Sequence, residues 1–204
     1  MPKKLRIGLD FHGVMQYTSK AKQDRAKRLF GRFIPAELFR RNIVVGSGYL
    51  TDEEYDRITN PVFEDVEYGR HIEEVNGATE TVKLLIAKGH DVHVITASDQ
   101  RALIVAQDWC ATRYIKLSST PHGVGKGNTK GAVANALGIE VFLEDTPDQA
   151  LALVGVVPHV FLLTHEYNER FPAGYYGITR VNSFYDFLGR VELIANKNSQ
   201  APAA

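Results

Sequence analysis

An aspartate stands near the end of the first apolar stretch of the chain. Residues 6–11 are mostly apolar and predict a short strand that contains Asp10, and Gly13 frees the backbone to turn just beyond it. Open α/β sheets bind their ligands at the carboxyl ends of their strands. Asp10 is therefore the first candidate for chemistry in this chain.

Further candidate residues follow later apolar stretches. Glu144 and Asp145 come directly after residues 140–143, and Thr96 ends the stretch 91–96. An acidic pair at this place also suits the macrodipole of the helix that Thr146 and Pro147 are expected to start. The macrodipole explains one acid at the start of a helix, but it does not explain why the acidic pair and Asp10 both follow predicted strands.

The elements that must position these residues alternate between helices and strands from residue 76 onward. The pattern predicts helices over 77–87, 98–112, 129–137 and 183–195 and one starting at 146–147, with strands over 91–96, 114–117, 140–143, 157–163 and 177–181. This alternation indicates an α/β fold with a doubly wound parallel sheet covered on both faces. Because parallel strands end at one edge of the sheet, we expect the candidate residues to converge there.

Residues 15–75 contain no convincing alternating strand and predict a small helical cap insertion over the end of strand one. A basic amphipathic helix is expected over 19–33 with its Lys and Arg side chains on a solvated face. Pro35 restarts a short helix, Thr51 to Glu54 forms a capping box for a helix to about residue 59, and Pro61 breaks the pattern before a weaker helix over 62–72. We therefore predict a core of residues 1–14 and 76–195, a cap of residues 15–75 and a frayed tail of residues 196–204.

Three carboxylates at one sheet edge would repel one another and raise one another's pKa values unless a cation lay among them. Mg²⁺ prefers oxygen ligands in octahedral geometry, keeps several waters and accepts a phosphate oxygen. The same ion would neutralise charge on a phosphoryl group that an aspartate attacks. The residue types thus indicate a magnesium site for phosphoryl chemistry.

The composition excludes several classes of function. Lys plus Arg and Asp plus Glu both number 24, so no overall field favours a nucleic-acid polymer or a membrane surface as a partner. The single cysteine, Cys110, excludes an intramolecular disulfide framework and suits a reducing compartment. No stretch predicts a signal peptide or a membrane span. We expect a cytoplasmic protein that binds a small phosphorylated substrate, and we leave a homodimer open.

Four short motifs resemble, in their order, those of the haloacid dehalogenase-like (HAD) phosphohydrolases. They are Asp10-Phe11-His12-Gly13-Val14, Val92-His93-Val94-Ile95-Thr96, the lysine Lys130 before a helix, and Val141-Phe142-Leu143-Glu144-Asp145. Each motif alone is weak, whereas their order and spacing together are fairly specific. The resemblance covers the predicted core and implies a HAD-like sheet, Mg²⁺ and phosphomonoesterase activity.

The resemblance also implies roles for individual residues. Asp10 would be the nucleophile that forms an aspartyl-phosphate, Thr96 would hydrogen-bond the phosphoryl oxygen, and Lys130, with Lys126 as its rival, would be the catalytic lysine. Substrate-binding positions would be Thr96, Ala97, Ser98, Arg101 and Lys130. The metal ligands would be Asp10, the backbone carbonyl of His12, Glu144 and Asp145, with Asp148 as a helper.

A helical insertion between the first two motifs resembles the 5'(3')-deoxyribonucleotidase-like group, as do Asn76-Gly77-Ala78 and Thr96-Ala97-Ser98. This resemblance implies a nucleoside monophosphate as substrate, with the cap choosing the leaving group. Aromatic and arginine side chains stack on nucleobases, and ordinary packing or exposure is the alternative for each. The candidates for such contacts are Phe39, Arg40, Tyr49, Tyr55 and Arg101.

His12 departs from the family pattern, which has a second aspartate at this position. The backbone carbonyl survives the substitution, so His12 can still serve a metal ion. An imidazole near its ordinary pKa is also a suitable proton donor and acceptor, but a nearby cation would lower that pKa and weaken the acid role. We therefore expect altered phosphatase chemistry.

Two other functions compete with a phosphatase. A non-catalytic or weakly active HAD-fold protein that binds a phosphorylated ligand or partner would explain the missing aspartate. Phosphoryl transfer or carbon–halogen cleavage has less support, because dehalogenases do not need the acidic pair. The stretch from His165 to Glu169 begins like a zinc-protease motif but lacks its second histidine, so we assign it no metal.

Overall fold

Six parallel strands form the centre of the computed structural model, which describes residues 2–125 and 129–197. The strands are β1 (Arg6–Leu9), β2 (Asp91–Thr96), β3 (His122–Gly123), β4 (Val141–Glu144), β5 (His159–Leu163) and β6 (Thr179–Val181). They lie in the order β3-β2-β1-β4-β5-β6, and each neighbouring pair is parallel. The predicted α/β fold with a doubly wound parallel sheet is therefore confirmed.

Helices cover both faces of this sheet. They are α5 (Ala78–Ala87), α6 (Gln100–Thr112), α7 (Gly131–Leu137), α8 (Pro147–Leu151) and α9 (Phe184–Lys197). Ile7 and Leu9 of β1 pack into a cluster with Trp109 of α6, whereas Phe142 of β4 packs into a second cluster with Ala134 of α7. Alternate side chains of each strand thus enter opposite apolar layers, as expected for a sheet buried on both faces.

The strand predicted over residues 114–117 is wrong, because the third strand is β3, further along the chain. Tyr114 has a φ of 56°, so the chain turns sharply after α6 instead of extending. Ser118 then satisfies both backbone hydrogen-bonding groups of Val92, as a residue of a neighbouring strand would. Its N–H donates to the Val92 carbonyl over 2.9 Å, and its Oγ accepts from the Val92 N–H over 3.0 Å.

Residues 15–75 form four helices and a short 3₁₀ helix and contain no strand, and the structure describes this whole range. The helices are α1 (Thr18–Phe30), α2 (Arg41–Val44), α3 (Asp52–Glu64) and α4 (Val66–Arg70), with the 3₁₀ helix at Ala36–Leu38. We call residues 15–75 the helical segment. Its own apolar cluster includes Ile34, Val44 and Ile58.

The predicted break at Pro61 is also wrong, because α3 begins after the expected Thr51 capping box and continues through Pro61 to Glu64. A proline inside a helix removes one N–H donor and leaves the carbonyl four residues earlier without its helical partner. That carbonyl belongs to Arg57, and Arg25 Nη2 donates to it over 3.0 Å. Arg25 of α1 thus supplies the donor that Pro61 lacks, and its Nε also donates to the Ile58 carbonyl over 2.9 Å.

The chain enters and leaves the helical segment side by side. Gln16 and Glu74 form an isolated antiparallel bridge, and the Tyr17 N–H donates to the Glu73 carbonyl over 2.9 Å. Trp109 of α6 also donates its indole N–H to the Ile72 carbonyl over 2.9 Å. The segment is therefore tied to the sheet and to α6 at its base.

None of the helices in residues 2–125 and 129–197 is long and apolar enough to cross a membrane.

Candidate functional site

Three carboxylates and a lysine meet at the carboxyl edge of the sheet. Asp10 follows β1 and donates its N–H to the Leu143 carbonyl over 3.0 Å, which places it beside the end of β4. Glu144 is the last residue of β4, and Asp145 follows it. All three are buried, and each offers an oxygen within 4.8 Å of the others. The adjacency of β1 and β4 in the sheet produces this convergence.

Lys130 joins two of these carboxylates. It precedes α7, is 1% exposed, and places its Nζ 2.5 Å from Asp10 Oδ1 and 2.5 Å from Glu144 Oε2. Burial opposes the charge, but Asp10 and Glu144 outweigh burial and hold the pKa of Lys130 above its ordinary value. Lys130 is therefore a fixed cation inside the cluster.

The negative charges of Glu144 and Asp145 are not fully compensated by nearby positive charge. Burial, followed by the repulsion of the other carboxylates, raises the pKa of Glu144 well above its ordinary value, although Lys130 opposes the shift. Burial and Asp10 likewise raise the pKa of Asp145, whose Oδ2 accepts a hydrogen bond from the Tyr167 hydroxyl. The other oxygen, Asp145 Oδ1, is buried without a hydrogen-bond partner. Lys130 pairs with Asp10 and Glu144 but not with Asp145, so the three buried acids have one ammonium among them.

These residues fit a hard divalent cation. Carboxylate oxygens are the ligands that Mg²⁺ prefers, and the unpartnered Asp145 Oδ1 is a buried acceptor that a cation would satisfy. Gly13 faces this carboxylate with a φ of 90°, and a Cβ at Gly13 would clash with Asp145 Oδ2. The glycine therefore permits both the turn after β1 and the position of Asp145.

The His12 side chain lies between apolar rings. Its ring packs edge-on against Phe11 and against Phe63, with centroid distances of 4.9 and 4.7 Å. Both of its ring nitrogens are buried without a hydrogen-bond partner among the described residues. Burial lowers the pKa of His12 to about 4, and the attraction of Asp10 only partly opposes this. His12 is therefore a neutral imidazole at neutral pH.

The predicted substrate-binding residues fall into two sets. Thr96 is 2% exposed at the end of β2, and its Oγ1 lies 3.1 Å from Ser98 Oγ, beyond Ala97. Arg101 instead pairs with Glu64 of α3 over 3.0 Å, and its side chain is 75% exposed. Lys126 lies outside the described residues, and Asp148 lies in α8.

One cavity adjoins the acidic cluster, and a second lies beside the loop after β2. The smaller one, of about 160 Å³, lies where His12, Asp145 and Tyr167 meet Phe39 and Arg40 of the helical segment. The larger one, of about 480 Å³, lies between α3 and the loop after β2. Its lining includes Tyr55, Phe63, Ala97, Ser98 and Asp99. Of the five residues proposed to select the leaving group, Phe39, Arg40 and Tyr55 line one of these cavities, whereas Tyr49 and Arg101 line neither.

Sequence reasoning missed several residues of this site. Lys22 was expected on a solvated face, but it is 9% exposed and lines the smaller cavity. Tyr167 and Asn168 lie in the discounted stretch after β5, where Asn168 Nδ2 donates to the Asp145 carbonyl over 2.7 Å. His165 Nε2 lies 2.7 Å from the Gly13 carbonyl. The position of this stretch in the sequence could have indicated these residues, because it follows β5, the strand next to β4.

No protein-family model matches the chain, and no curated protein matches it in sequence. Solved structures do match its fold. They include a haloacid dehalogenase-like family hydrolase from Streptococcus pneumoniae, with 12% identity and a TM-score of 0.61 over 92% of this chain and 98% of that chain. A predicted phosphoglycolate phosphatase from Haemophilus somnus matches with 15% identity and a TM-score of 0.64 over 93% and 99%.

A protein named as a dehalogenase matches as well, with 11% identity and a TM-score of 0.65 over 93% of this chain and 97% of that chain. The chain therefore has the α/β fold of HAD-superfamily hydrolases. Because this fold carries different reactions, the reaction has to be argued from the site.

Proposed function

We propose that this protein is a magnesium-dependent phosphomonoesterase that acts on a small phosphorylated metabolite through an aspartyl-phosphate intermediate. The observation that carries the proposal is the buried set of Asp10, Lys130, Glu144 and Asp145 at the carboxyl edge of the sheet. A dehalogenase would not need the acidic pair Glu144 and Asp145, so these buried acids favour phosphoryl chemistry over carbon–halogen cleavage.

Asp10 performs the first step in this proposal. Lys130 holds Asp10 Oδ1, so Oδ2 is the oxygen that attacks phosphorus. The bond from phosphorus to the ester oxygen breaks, and the leaving alkoxide takes a proton from water to become the alcohol. Water then attacks the aspartyl-phosphate, inorganic phosphate leaves, and the Asp10 carboxylate is restored.

The other residues hold the phosphoryl group and the metal. Thr96 and Ser98 offer two hydroxyls at the end of β2, and Lys130 offers a fixed positive charge. Asp10, Glu144, Asp145 and the His12 carbonyl would hold Mg²⁺. When bound, Mg²⁺ supplies positive charge that stabilises the phosphoryl oxygens and relieves the repulsion among the acids.

The helical segment acts as a cap in this proposal and selects the leaving group. Its Phe39 and Arg40 line the smaller cavity and its Tyr55 lines the larger one, which supports a role in contacting the leaving group. A nucleoside monophosphate, with its base in the larger cavity, is accordingly one substrate to test. A cytoplasmic location and a homodimer stay predictions.

Phosphate release from nucleoside monophosphates, sugar phosphates and p-nitrophenyl phosphate tests the proposal. We expect turnover that requires Mg²⁺, stops on chelation and disappears in Asp10→Asn. Asp24→Asn, which changes an exposed carboxylate of α1, is the matched control and should retain full activity. Thermal unfolding of both variants checks their folding. Full activity of a folded Asp10→Asn protein would refute the nucleophile assignment.

The environment of His12 favours a second candidate function, a phosphoryl-binding protein with little or no turnover. A neutral imidazole whose pKa is about 4 is a poor proton donor at neutral pH, so the leaving alcohol lacks the acid that the second aspartate would provide. This function predicts thermal stabilisation by phosphate compounds and Mg²⁺ without phosphate release. Turnover above that of Asp10→Asn would exclude it.

A further inference from the structure

Two cations of the helical segment face the smaller cavity. Lys22 of α1 and Arg40 just before α2 both line it, and neither forms an ion pair with any carboxylate in the described part of the chain. We propose that Lys22 and Arg40 bind an anionic group carried by the leaving group of the substrate, distinct from the phosphoryl group at Asp10. This proposal rests on the proposed function and specifies its substrate class.

Lys22 is the stronger indication of an anionic ligand. Its side chain is 9% exposed, and its Nζ lies 4.8 Å from the centroid of the Phe63 ring, on which His12 also packs. A buried ammonium without an anionic partner is costly, and burial lowers the pKa of Lys22 to about 8 although Asp145 opposes the shift. An anion in the cavity would remove this cost.

Arg40 provides the second contact. Its guanidinium lies 5.1 Å from the centroid of the Tyr167 ring, and the Tyr167 hydroxyl donates to Asp145. A planar guanidinium held on an aromatic face can bind a carboxylate or a phosphate through two parallel hydrogen bonds. Glu37 lines the same cavity, but its carboxyl group hydrogen-bonds Glu166 and raises the pKa of Glu166.

The cavity is next to the phosphoryl site and shares His12 and Asp145 with the residues that would hold the metal. His12, Gly13 and Asp145 line the cavity, whereas Asp10, Thr96 and Lys130 are not among its described lining residues. Its volume of about 160 Å³ is below the roughly 300–1,000 Å³ of sites for drug-sized ligands. A compact acidic group fits this space. The substrate is therefore inferred to carry a second acid, either a carboxylate or a second phosphate, and short esters isolate this contact.

Three short esters that differ at one end provide the test. 2-Phosphoglycolate carries a carboxylate, ethyl phosphate carries a methyl group, and O-phosphoethanolamine carries an ammonium. We expect kcat/KM to fall in that order, with the carboxylate favoured over the methyl group by about tenfold or more, as for a charge-assisted hydrogen bond. Propane-1,3-diol bisphosphate, compared with propyl phosphate, tests a second phosphate as the acidic group.

Variants of the two cations assign the preference to this cavity. Lys22→Met keeps the packing on Phe63, and replacing a buried charge by an apolar side chain does not threaten folding. In Lys22→Met and Arg40→Gln we expect KM for 2-phosphoglycolate to rise about tenfold, with a much smaller change in KM for ethyl phosphate, which carries no second acid. Lys20→Met, at an exposed lysine of the same helix, is the matched control and should behave like the wild type.

The possible results separate this inference from the proposed function. If the wild type hydrolyses all three esters equally well, or if Lys22→Met impairs all three equally, the inference fails while the phosphatase assignment stands. If none is hydrolysed, thermal stabilisation by 3-phosphonopropionate and propylphosphonate decides. Stronger stabilisation by the carboxylate compound, lost in Lys22→Met, supports the inference without turnover, and equal stabilisation overturns it.

Discussion

Lys130 Nζ lies 2.5 Å from Asp10 Oδ1 in a site where both side chains are almost fully buried. The same Nζ lies 2.5 Å from Glu144, so one ammonium pairs with two acids at the carboxyl ends of two different strands. This arrangement couples the stability of the fold to the state of the candidate nucleophile. The first prediction follows from that coupling.

Lys130→Met removes the positive charge from a buried cluster of carboxylates. We expect the free energy of unfolding to fall by about 3–5 kcal/mol, because breaking a buried ion pair leaves charges without compensation. Urea unfolding at neutral pH without metal measures the change. Lys88→Met, which removes an exposed pair with Glu192, should cost less than about 1 kcal/mol. Equal stability of the two variants would contradict this account of Lys130.

His12→Asp restores a carboxyl group at the position after Phe11. Because the His12 imidazole is buried with a pKa of about 4, it is a weak acid catalyst, and we expect kcat to rise by about tenfold or more in the variant. Steady-state phosphate release with saturating Mg²⁺ provides the measurement. A large loss of activity would instead identify His12 as the working acid and base.

Gly13→Ala tests whether Asp145 depends on the turn after β1. A Cβ there would clash with Asp145 Oδ2, so we expect a loss of about 3 kcal/mol in stability and weaker Mg²⁺ binding. Gly89→Ala is the matched control, since Gly89 has a φ of 89° and open space around its Cβ position. The backbone penalty alone should cost about 1–2 kcal/mol. Thermal unfolding and Mg²⁺ titration calorimetry compare the two, and identical results would show that the clash is relieved.

His93 predicts a pH dependence of stability away from the acidic cluster. Burial, followed by repulsion from His122, lowers the pKa of His93, and Nδ1 of His93 lies 2.8 Å from Ser119 Oγ. In the unfolded chain the pKa of a histidine is about 6.5, so below that pH the unfolded state binds more protons. This contribution to stability is fully present above about pH 6.5 and is lost as the pH falls toward the lower folded pKa.

Urea unfolding at pH 7.5 and pH 5.5 tests this sign. The wild type should lose more stability between these two pH values than His93→Gln, which keeps a polar side chain near Ser119. An equal loss in both proteins would show that His93 does not contribute.

Much of the fold follows from local sequence patterns. The strand at 91–96, the Asp99 start of α6 and the Gly138 end of α7 each depend on apolar runs, caps or glycine, all of which act within a few residues. The convergence of Asp10, Glu144 and Asp145 followed from the parallel order of the strands. These parts of the site could therefore be predicted without any knowledge of tertiary contacts.

The errors arise where a distant partner replaces a local one. Pro61 stays inside α3 because Arg25 of another helix satisfies the freed carbonyl, and no pattern near Pro61 encodes that donor. Lys22 has the spacing of a solvated face but lies buried against Phe63, which is distant in sequence. Such contacts depend on how helices pack, so they could not be inferred from periodicity.

The bridge between Gln16 and Glu74 bears on how this chain tolerates change in length. The helical segment begins and ends beside two hydrogen-bonded residues, Gln16 and Glu74. It is therefore a loop whose two ends are held together in the folded protein. The entropy of closing a loop grows slowly, by about 0.6 kcal/mol for each doubling of its length. Loop closure alone therefore adds little cost when a helix of this segment is lengthened or shortened at a point away from α6. The contacts of the segment with α6, such as that of Trp109 with the Ile72 carbonyl, set the limit on such changes.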